Sequence, residues 1–191
     1  MLRVTHKMSH AVALALLAFA SPLPAHAQVT VSMETGRLLA NDGLRPGQFR
    51  WHPEAAPADG ALRIVVSIPL QRAYVFRGDV LIGLSTTSTG QPGYDTPVGR
   101  FTILQKRVEH FSSLYDDAPM PFMQRLTWDG IALHAGPVAA EPVSHGCIRL
   151  PRAFARHLYG ITALGTAVVV IDQAPNTPEE ALAMAAETVT A

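Results

Sequence analysis

Short runs of β-branched residues, separated by turn residues, recur along this chain between residues 61 and 173. Residues 64–68 read Ile-Val-Val-Ser-Ile, a run that is too short for a helix and typical of a buried strand. The runs at 71–76 and 80–85 flank Arg77-Gly78-Asp79, which predicts a hairpin. Two more strands are predicted over residues 98–104 and 166–171. The pattern predicts a mainly β domain with little helix.

A second hairpin is predicted around Asp129-Gly130, a pair typical of tight turns of the primed type. It would place His134 at the end of a strand, where a rigid sheet can orient its side chain.

Two short helices are predicted beside the strands. The first covers residues 151–159, with Pro151 at its start and Gly160 as a stop signal. The second lies in a C-terminal tail, residues 174–191, where Thr177-Pro178-Glu179-Glu180 has the pattern of a capping box.

The first 27 residues have the pattern of a cleaved export signal. Arg3 and Lys7 precede an apolar run at 11–20, and Ala25-His26-Ala27 is a small-x-small cleavage site. The run is much shorter than the ~20 residues that a helix needs to cross a bilayer. We therefore expect a soluble, periplasmic protein that begins at Gln28 and has no membrane span.

Residues 28–60 are predicted to be an N-terminal arm or linker. Residues 29–33 are a candidate for a short strand, and the many Gly and Pro residues after them argue against regular structure. Phe49 and Trp51 are its candidates for packing on the domain, which is predicted over residues 61–173. Without the signal, 13 basic and 15 acidic side chains remain, so the net charge is −2. No basic cluster is present, which argues against nucleic acid as a partner.

The single cysteine, Cys147, lies in Ser144-His145-Gly146-Cys147. A lone cysteine is often a small buried hydrophobe and cannot form an intramolecular disulfide. Here, however, His145 and the more distant His134 are two candidate bases. An imidazole that takes the thiol proton generates the thiolate that attacks a carbonyl carbon. The pattern thus predicts covalent acyl transfer, with a thiol pKa below the free value of ~8.5.

Two motifs resemble those of a known family. His134 with Ser144-His145-Gly146-Cys147-Ile148-Arg149 is the first, and Ser88-Thr89-Gly90 with Thr96-Pro97-Val98-Gly99-Arg100-Phe101 is the second. Together they resemble the L,D-transpeptidase catalytic domain (YkuD/ErfK-type) of bacterial cell-wall enzymes, from about residue 63 to residue 171. Two features differ: Arg149 replaces the commoner Asn, and the loop from His134 to Ser144 is short. The resemblance implies an L,D-transpeptidase-like β-sandwich with a short helix after the nucleophile and a C-terminal helix.

The resemblance also implies a reaction. Cys147 is the expected nucleophile and His134 the expected base, acting on peptidoglycan stem peptides without a cofactor or metal. Attack after the third residue of a tetrapeptide stem releases the terminal D-alanine and leaves a thioester. An amine then gives a 3-3 crosslink or an attached acceptor protein, whereas water makes the chain an L,D-carboxypeptidase or a crosslink-cleaving hydrolase. We expect a monomer.

Other residues of the motif have expected parts in the site. Gly146 favours a tight turn because glycine reaches positive φ freely, and the N–H groups of Gly146 and Cys147 are candidates for an oxyanion hole. Ser144 is expected to orient this loop, and His145 either braces it or polarises the substrate. Arg149 is a candidate for binding a carboxylate of the stem peptide, such as that of diaminopimelate, through two parallel hydrogen bonds.

Residues 110–125 form a long and apolar connection, which favours a lid or wall of the substrate groove over a small satellite core. Tyr94 is expected to line the same groove and to bind substrate.

Two other classes of function stay open. His134, His145 and Cys147 are all chemically able to ligate Zn²⁺, although their spacing lacks the paired pattern of zinc sites. The other alternative is a catalytically inactive peptidoglycan-binding protein.

Overall fold

A computed structural model describes residues 42–188 of the chain. The predicted signal peptide and the first part of the predicted arm lie outside these residues. The described part contains two α-helices, α1 Arg152–Ile161 and α2 Pro178–Glu187, and a 3-10 turn at Pro53–Ala55. Its strands are β1 Phe49–Trp51, β2 Leu62–Ser67, β3 Arg72–Arg77, β4 Val80–Thr86, β5 Gly99–Thr102, β6 Gln105–Arg107, β7 Met123–Arg125, β8 Ala132–Ala135, β9 Ile148–Leu150 and β10 Ala167–Ile171.

The strands form two sheets around a shared core, so the predicted mainly β sandwich with two helices is confirmed. The larger sheet has the order β1-β4-β3-β2-β10-β5, and the smaller has the order β6-β7-β8-β9. Neighbouring strands are antiparallel except for the pairs β2–β10 and β8–β9, which are parallel. The core combines side chains of both sheets and of α1, among them Ile64, Val75, Leu133, Ile148 and Phe154.

Helix α1 follows β9 directly and buries its apolar face against the smaller sheet. Pro151 is its N-cap, and the helix continues through Gly160 to Ile161, so the predicted stop is slightly early. The helix ends at Thr162, whose backbone is extended (φ −81°, ψ 159°), although its N–H still donates to the Leu158 carbonyl as in the helix. The Lys106 ammonium group donates to the carbonyl oxygens of Tyr159 and Thr162, where it complements the negative end of the helix dipole.

Helix α2 covers the outer face of the larger sheet. Ala181 and Ala185 pack there against a second apolar cluster that includes Val65, Tyr74 and Val169. The Thr177 hydroxyl accepts the Glu180 N–H at 3.2 Å, as the capping-box pattern predicts. The Glu180 carboxylate reaches the N–H of Asn176, one residue before the position that this pattern specifies. No helix within residues 42–188 is long and apolar enough to cross a membrane.

The second part of the predicted arm belongs to the larger sheet. Phe49 and Trp51 lie on β1, which pairs with β4, and both rings contact Phe154 at centroid distances of 5.5 and 5.3 Å. Asp42 forms an ion pair with Arg72 of β3 at 2.6 Å. The expected packing through Phe49 and Trp51 is present, but the prediction that residues up to 60 lack regular structure is wrong.

The hairpin between β7 and β8 differs from the predicted turn. Gly130 has a positive φ of 121°, whereas Asp129 does not have a positive φ. A primed turn needs positive φ at its first central residue, so that prediction is wrong. Instead, the Thr127 hydroxyl accepts the Ile131 N–H at 3.1 Å and closes a longer loop.

Candidate active site

The parallel strands β8 and β9 bring His134 and Cys147 together. His134 pairs with Arg149 across the two strands, and Cys147 directly precedes β9. Because residues two apart on a strand point to the same side, Cys147 and Arg149 share the side of the sheet on which His134 lies. All three line one cavity of about 350 Å³.

The His134 ring is oriented by the backbone of the next residue. Its Nδ1 lies 2.9 Å from the Ala135 carbonyl oxygen, which can only accept, so Nδ1 carries the hydrogen. The other ring nitrogen, Nε2, is then free to accept a proton. Burial lowers the pKa of His134 to about 4; the bond to Ala135 opposes this shift, and the Arg149 charge adds to it. The imidazole is therefore neutral at neutral pH.

The Cys147 thiol is also neutral at rest. Burial raises its pKa above the ordinary thiol value, against the opposing effects of a backbone hydrogen bond from Ala132 and of nearby arginine charges. The expectation of a lowered thiol pKa is wrong, because a neutral His134 supplies no positive charge to stabilise the thiolate. The thiol donates instead to the Gly130 carbonyl, with an Sγ–O distance of 3.4 Å.

The residues before Cys147 form a tight turn. Gly146 has a φ of 100°, and a Cβ at this position would lie 2.8 Å from Cδ1 of Ile131, so both conformation and space require glycine. The Ser144 hydroxyl accepts the Gly146 N–H at 3.1 Å and donates to the Cys147 carbonyl. Of the two N–H groups expected in an oxyanion hole, that of Gly146 is thus already bonded. Within residues 42–188, no acceptor is found for the Cys147 N–H.

Arg149 presents its guanidinium at the cavity. Its aliphatic stem packs on Gly136, where a Cβ would lie 3.2 Å from both Cγ and Cδ of the arginine. In the described part of the chain, no carboxylate forms an ion pair with this guanidinium. The charge is therefore available to an acidic ligand.

A hairpin extension of β6 and β7 forms one wall of the cavity, as expected for residues 110–125. The alternative, a small satellite core, is also present, because Met120 and Met123 form a separate apolar cluster with Ala132. The Phe122 N–H donates to Val108 and the Met120 N–H donates to His110, so the strand pairing continues beyond β6 and β7. At the tip, Asp116 and Asp117 both have positive φ. The cavity side of this hairpin consists of Ser112, Leu114, Tyr115, Ala118, Pro119 and Met120.

His145 lies at the rim of the cavity between two tyrosines. Its exposed ring stacks on Tyr115 of the hairpin at a centroid distance of 4.6 Å and 26°. Tyr94 meets the same ring edge-on at 4.6 Å and 82°. Tyr94 is 46% exposed but does not itself line the cavity, so its contact with the site runs through His145.

The upstream motif lies directly behind the Cys147 loop. Ser88 and Arg149 exchange backbone hydrogen bonds, and the Ser144 N–H donates to the Thr89 carbonyl. The Thr96 hydroxyl donates to the Gly146 carbonyl at 2.7 Å. The two sequence motifs are therefore parts of one hydrogen-bonded unit.

In the part of the chain that the structure describes, no set of side chains supports the zinc alternative. That part contains no group of three or more His, Cys, Asp or Glu side chains that could hold a metal ion.

The family model of the L,D-transpeptidase catalytic domain (YkuD) matches residues 61–170, more than half of the chain. The chain belongs to this family. The curated probable L,D-transpeptidase 3 of Mycobacterium tuberculosis is 35% identical over 104 residues, which cover 46% of this chain. The predicted family is thereby confirmed.

Solved structures of L,D-transpeptidases have the same fold. One from Mycobacterium tuberculosis H37Rv is 30% identical, with a TM-score of 0.56 over 59% of this chain and 58% of that chain. L,D-transpeptidase 3 of the same species, solved with a faropenem-derived adduct, is 30% identical, with a TM-score of 0.53 over 58% of this chain and 60% of that chain. The match to the curated relative covers 38% of its length. This chain therefore spans less than two thirds of each of these relatives.

Several residues of the site were not predicted from the sequence. Ala135 and Gly130 take part through carbonyl oxygens, which leave no signal in a side-chain pattern. Thr96 stands in the upstream motif, but the motif alone assigns it no contact. The position of Tyr115 on His145 depends on how residues 110–122 fold back as a hairpin.

Proposed function

We propose that this chain is an exported cysteine L,D-transpeptidase that acts on peptidoglycan stem peptides. The observation that carries the proposal is the shared cavity of Cys147 and His134 in a chain of this family, with Nε2 of His134 free to accept a proton. The known adduct of a related L,D-transpeptidase with a faropenem-derived group adds support for acyl transfer in this family.

Acylation begins from two neutral groups. Nε2 of His134 takes the thiol proton while Sγ of Cys147 attacks the carbonyl carbon of the third stem residue. The new C–S bond displaces the carbonyl π electrons onto oxygen, and the free Cys147 N–H is the donor for this oxyanion. The negative intermediate stabilises the imidazolium, and the Ala135 carbonyl keeps its acceptor position on Nδ1–H.

Collapse of the intermediate releases D-alanine. The carbonyl re-forms, the C–N bond breaks, and the proton on Nε2 passes to the leaving amine. The product is a thioester on Cys147. A stem-peptide amine or the amine of an acceptor protein then attacks the thioester, with His134 accepting the amine proton and the thiol leaving. Attack by water in place of the amine is the carboxypeptidase alternative.

Arg149 is the proposed site for a carboxylate of the donor stem. It lies on the His134 side of the cavity, and no ion pair to its guanidinium occurs within residues 42–188. A guanidinium binds a carboxylate through two charge-assisted hydrogen bonds. The proposed ligand is the free carboxylate at the distal end of diaminopimelate, the residue whose other carbonyl forms the scissile bond.

Intact-mass measurement with a carbapenem tests the nucleophile. We expect one adduct of the full carbapenem mass on the wild-type chain, because opening the β-lactam ring loses no atoms, and none on Cys147→Ser. The two other classes of function, a zinc site and a catalytically inactive binding protein, both predict no carbapenem adduct. An equal adduct on Cys147→Ser would place the reaction elsewhere.

Product analysis with a purified tetrapeptide stem tests the acceptor. Free D-alanine is released in both reactions, so the second product decides: a crosslinked dimer supports the transpeptidase, and a tripeptide without dimer supports the carboxypeptidase. Export is tested separately, by N-terminal sequencing of the periplasmic protein, where Gln28 is expected as the first residue.

A further inference from the structure

The hydroxyl of Thr96 forms two hydrogen bonds with fixed directions. It accepts the Gly90 N–H at 2.9 Å and donates to the Gly146 carbonyl at 2.7 Å. The donor and acceptor roles cannot be reversed in either bond, since an N–H only donates and a carbonyl only accepts. The side chain is 4% exposed and is not part of the cavity lining, so it lies behind the turn that carries Cys147.

Gly90 keeps this arrangement compact. A Cβ at residue 90 would lie 1.8 Å from the Tyr94 carbonyl oxygen and 2.8 Å from the Thr96 N–H nitrogen. Such distances are impossible without movement of the backbone. The loop from Gly90 to Thr96 therefore closes tightly on itself, and this closure presents the Thr96 hydroxyl to the turn.

The bond to Gly146 fixes a peptide plane that contains the Cys147 N–H. In a trans peptide the carbonyl of one residue and the N–H of the next point in opposite directions. With the Gly146 carbonyl held towards buried Thr96, the Cys147 N–H must point away from Thr96. Cys147 is on the cavity side of this turn, whereas Thr96 and Gly146 are not among the lining residues.

We propose that Thr96 is a positioning residue that orients the Cys147 N–H as the oxyanion donor. It does not touch the substrate; it acts by holding the opposite end of the same peptide group. This inference rests on the proposed acyl transfer and deepens it, because it assigns a part to the upstream motif.

Two reactions of the same thiol separate this role from a general structural one. Acylation of Cys147 by a carbapenem passes through an oxyanion, whereas alkylation by iodoacetamide displaces iodide from a saturated carbon and forms none. The ratio of the two rates in one variant removes effects on the intrinsic reactivity of the thiol. It leaves the two parts of acylation that alkylation lacks, oxyanion stabilisation and proton transfer to His134. A dependence of acylation on pH like that of wild type assigns a fall in the ratio to oxyanion stabilisation. Thr96→Val and Thr96→Ala remove the hydroxyl, and Thr96→Ser is the matched control that keeps it.

We expect the acylation-to-alkylation ratio to fall at least tenfold in the Val and Ala variants and to stay within about threefold of wild type in the Ser variant. Loss of an oxyanion donor typically costs about 10²–10³-fold in rate, and a misdirected donor costs part of that. A wild-type ratio in either hydroxyl-free variant that folds overturns the inference, as does a parallel loss of both reactions. If wild type itself forms no carbapenem adduct, the proposed function fails and not merely the role of Thr96.

Discussion

His134 and Arg149 are paired neighbours on the parallel strands β8 and β9, so the candidate base has a permanent positive charge beside it. This charge adds to the effect of burial in keeping the imidazole unprotonated. The same guanidinium faces the cavity, where it is available to a substrate carboxylate.

Arg149→Gln should weaken the use of stem peptides whose diaminopimelate carboxyl is free. A hydrogen bond to a charged group contributes about 1.5–3 kcal/mol, so we expect kcat/KM to fall about 10- to 100-fold. With a stem peptide whose diaminopimelate carboxyl is amidated, no anion is available to the guanidinium. The fall in kcat/KM should then be much smaller. Arg152→Gln on the exposed surface of α1 is the control. An equal loss with both substrates would show that Arg149 does not bind this carboxylate.

His145 is expected to act through its ring and not through its nitrogens. Because the ring stacks on Tyr115 and meets Tyr94 edge-on, His145→Phe preserves both aromatic contacts and should retain most of the turnover of stem peptides. His145→Ala should raise KM severalfold, since offset aromatic pairs contribute about 0.5–1.5 kcal/mol each. Steady-state kinetics of both variants decide the point: a Phe variant as poor as the Ala variant would favour a polar role.

Gly146→Ala and Gly160→Ala are expected to change stability in opposite directions. At Gly146, the positive φ and the nearby Ile131 side chain oppose any Cβ, and we expect a loss of more than about 1 kcal/mol together with loss of acylation. Gly160 lies within α1 with no atom near its would-be Cβ, and alanine there should add about 0.5–1 kcal/mol. Urea unfolding of both variants is the measurement. A Gly146→Ala chain as stable as wild type would remove the steric argument.

Burial of His134 should make the fold less stable in acid. The pKa is about 4 in the folded chain against 6.5 for the unperturbed group, so the unfolded chain binds the proton more readily. This contribution to stability is complete above the unfolded pKa and declines as the pH falls from 6.5 towards 4. Over this range, the free energy of unfolding falls by about 3 kcal/mol in total.

Urea unfolding across this pH range, for wild type and His134→Gln, tests the coupling. The Gln variant should lose this part of the acid dependence, whereas His52→Gln, at an exposed position, should keep it. Identical pH dependence of wild type and His134→Gln would mean that the histidine is solvated in the folded state.

The sequence was most informative where local chemistry decides the structure. The hairpin at Gly78, the capped helix after Thr177 and the glycine turn before Cys147 all follow from single residues with strong preferences. The prediction of a lowered thiol pKa was wrong because burial of the thiol and the imidazole depends on the packing of both sheets. The neighbours of His145 were not predicted either, since they depend on where two distant loops meet.

The thiol and the base are best tested by following two reactions of Cys147 across pH, acylation by a carbapenem and alkylation by iodoacetamide. In wild type, we expect acylation to decline only as the pH approaches about 4, where His134 becomes protonated. Alkylation should rise only at alkaline pH, because burial raises the thiol pKa. His134→Ala should lower acylation by about 10²–10⁴-fold and leave alkylation in the alkaline range, whereas His145→Phe should resemble wild type. Full acylation of His134→Ala, with loss of acylation in His145→Phe, would contradict the assignment of His134 as the base of Cys147.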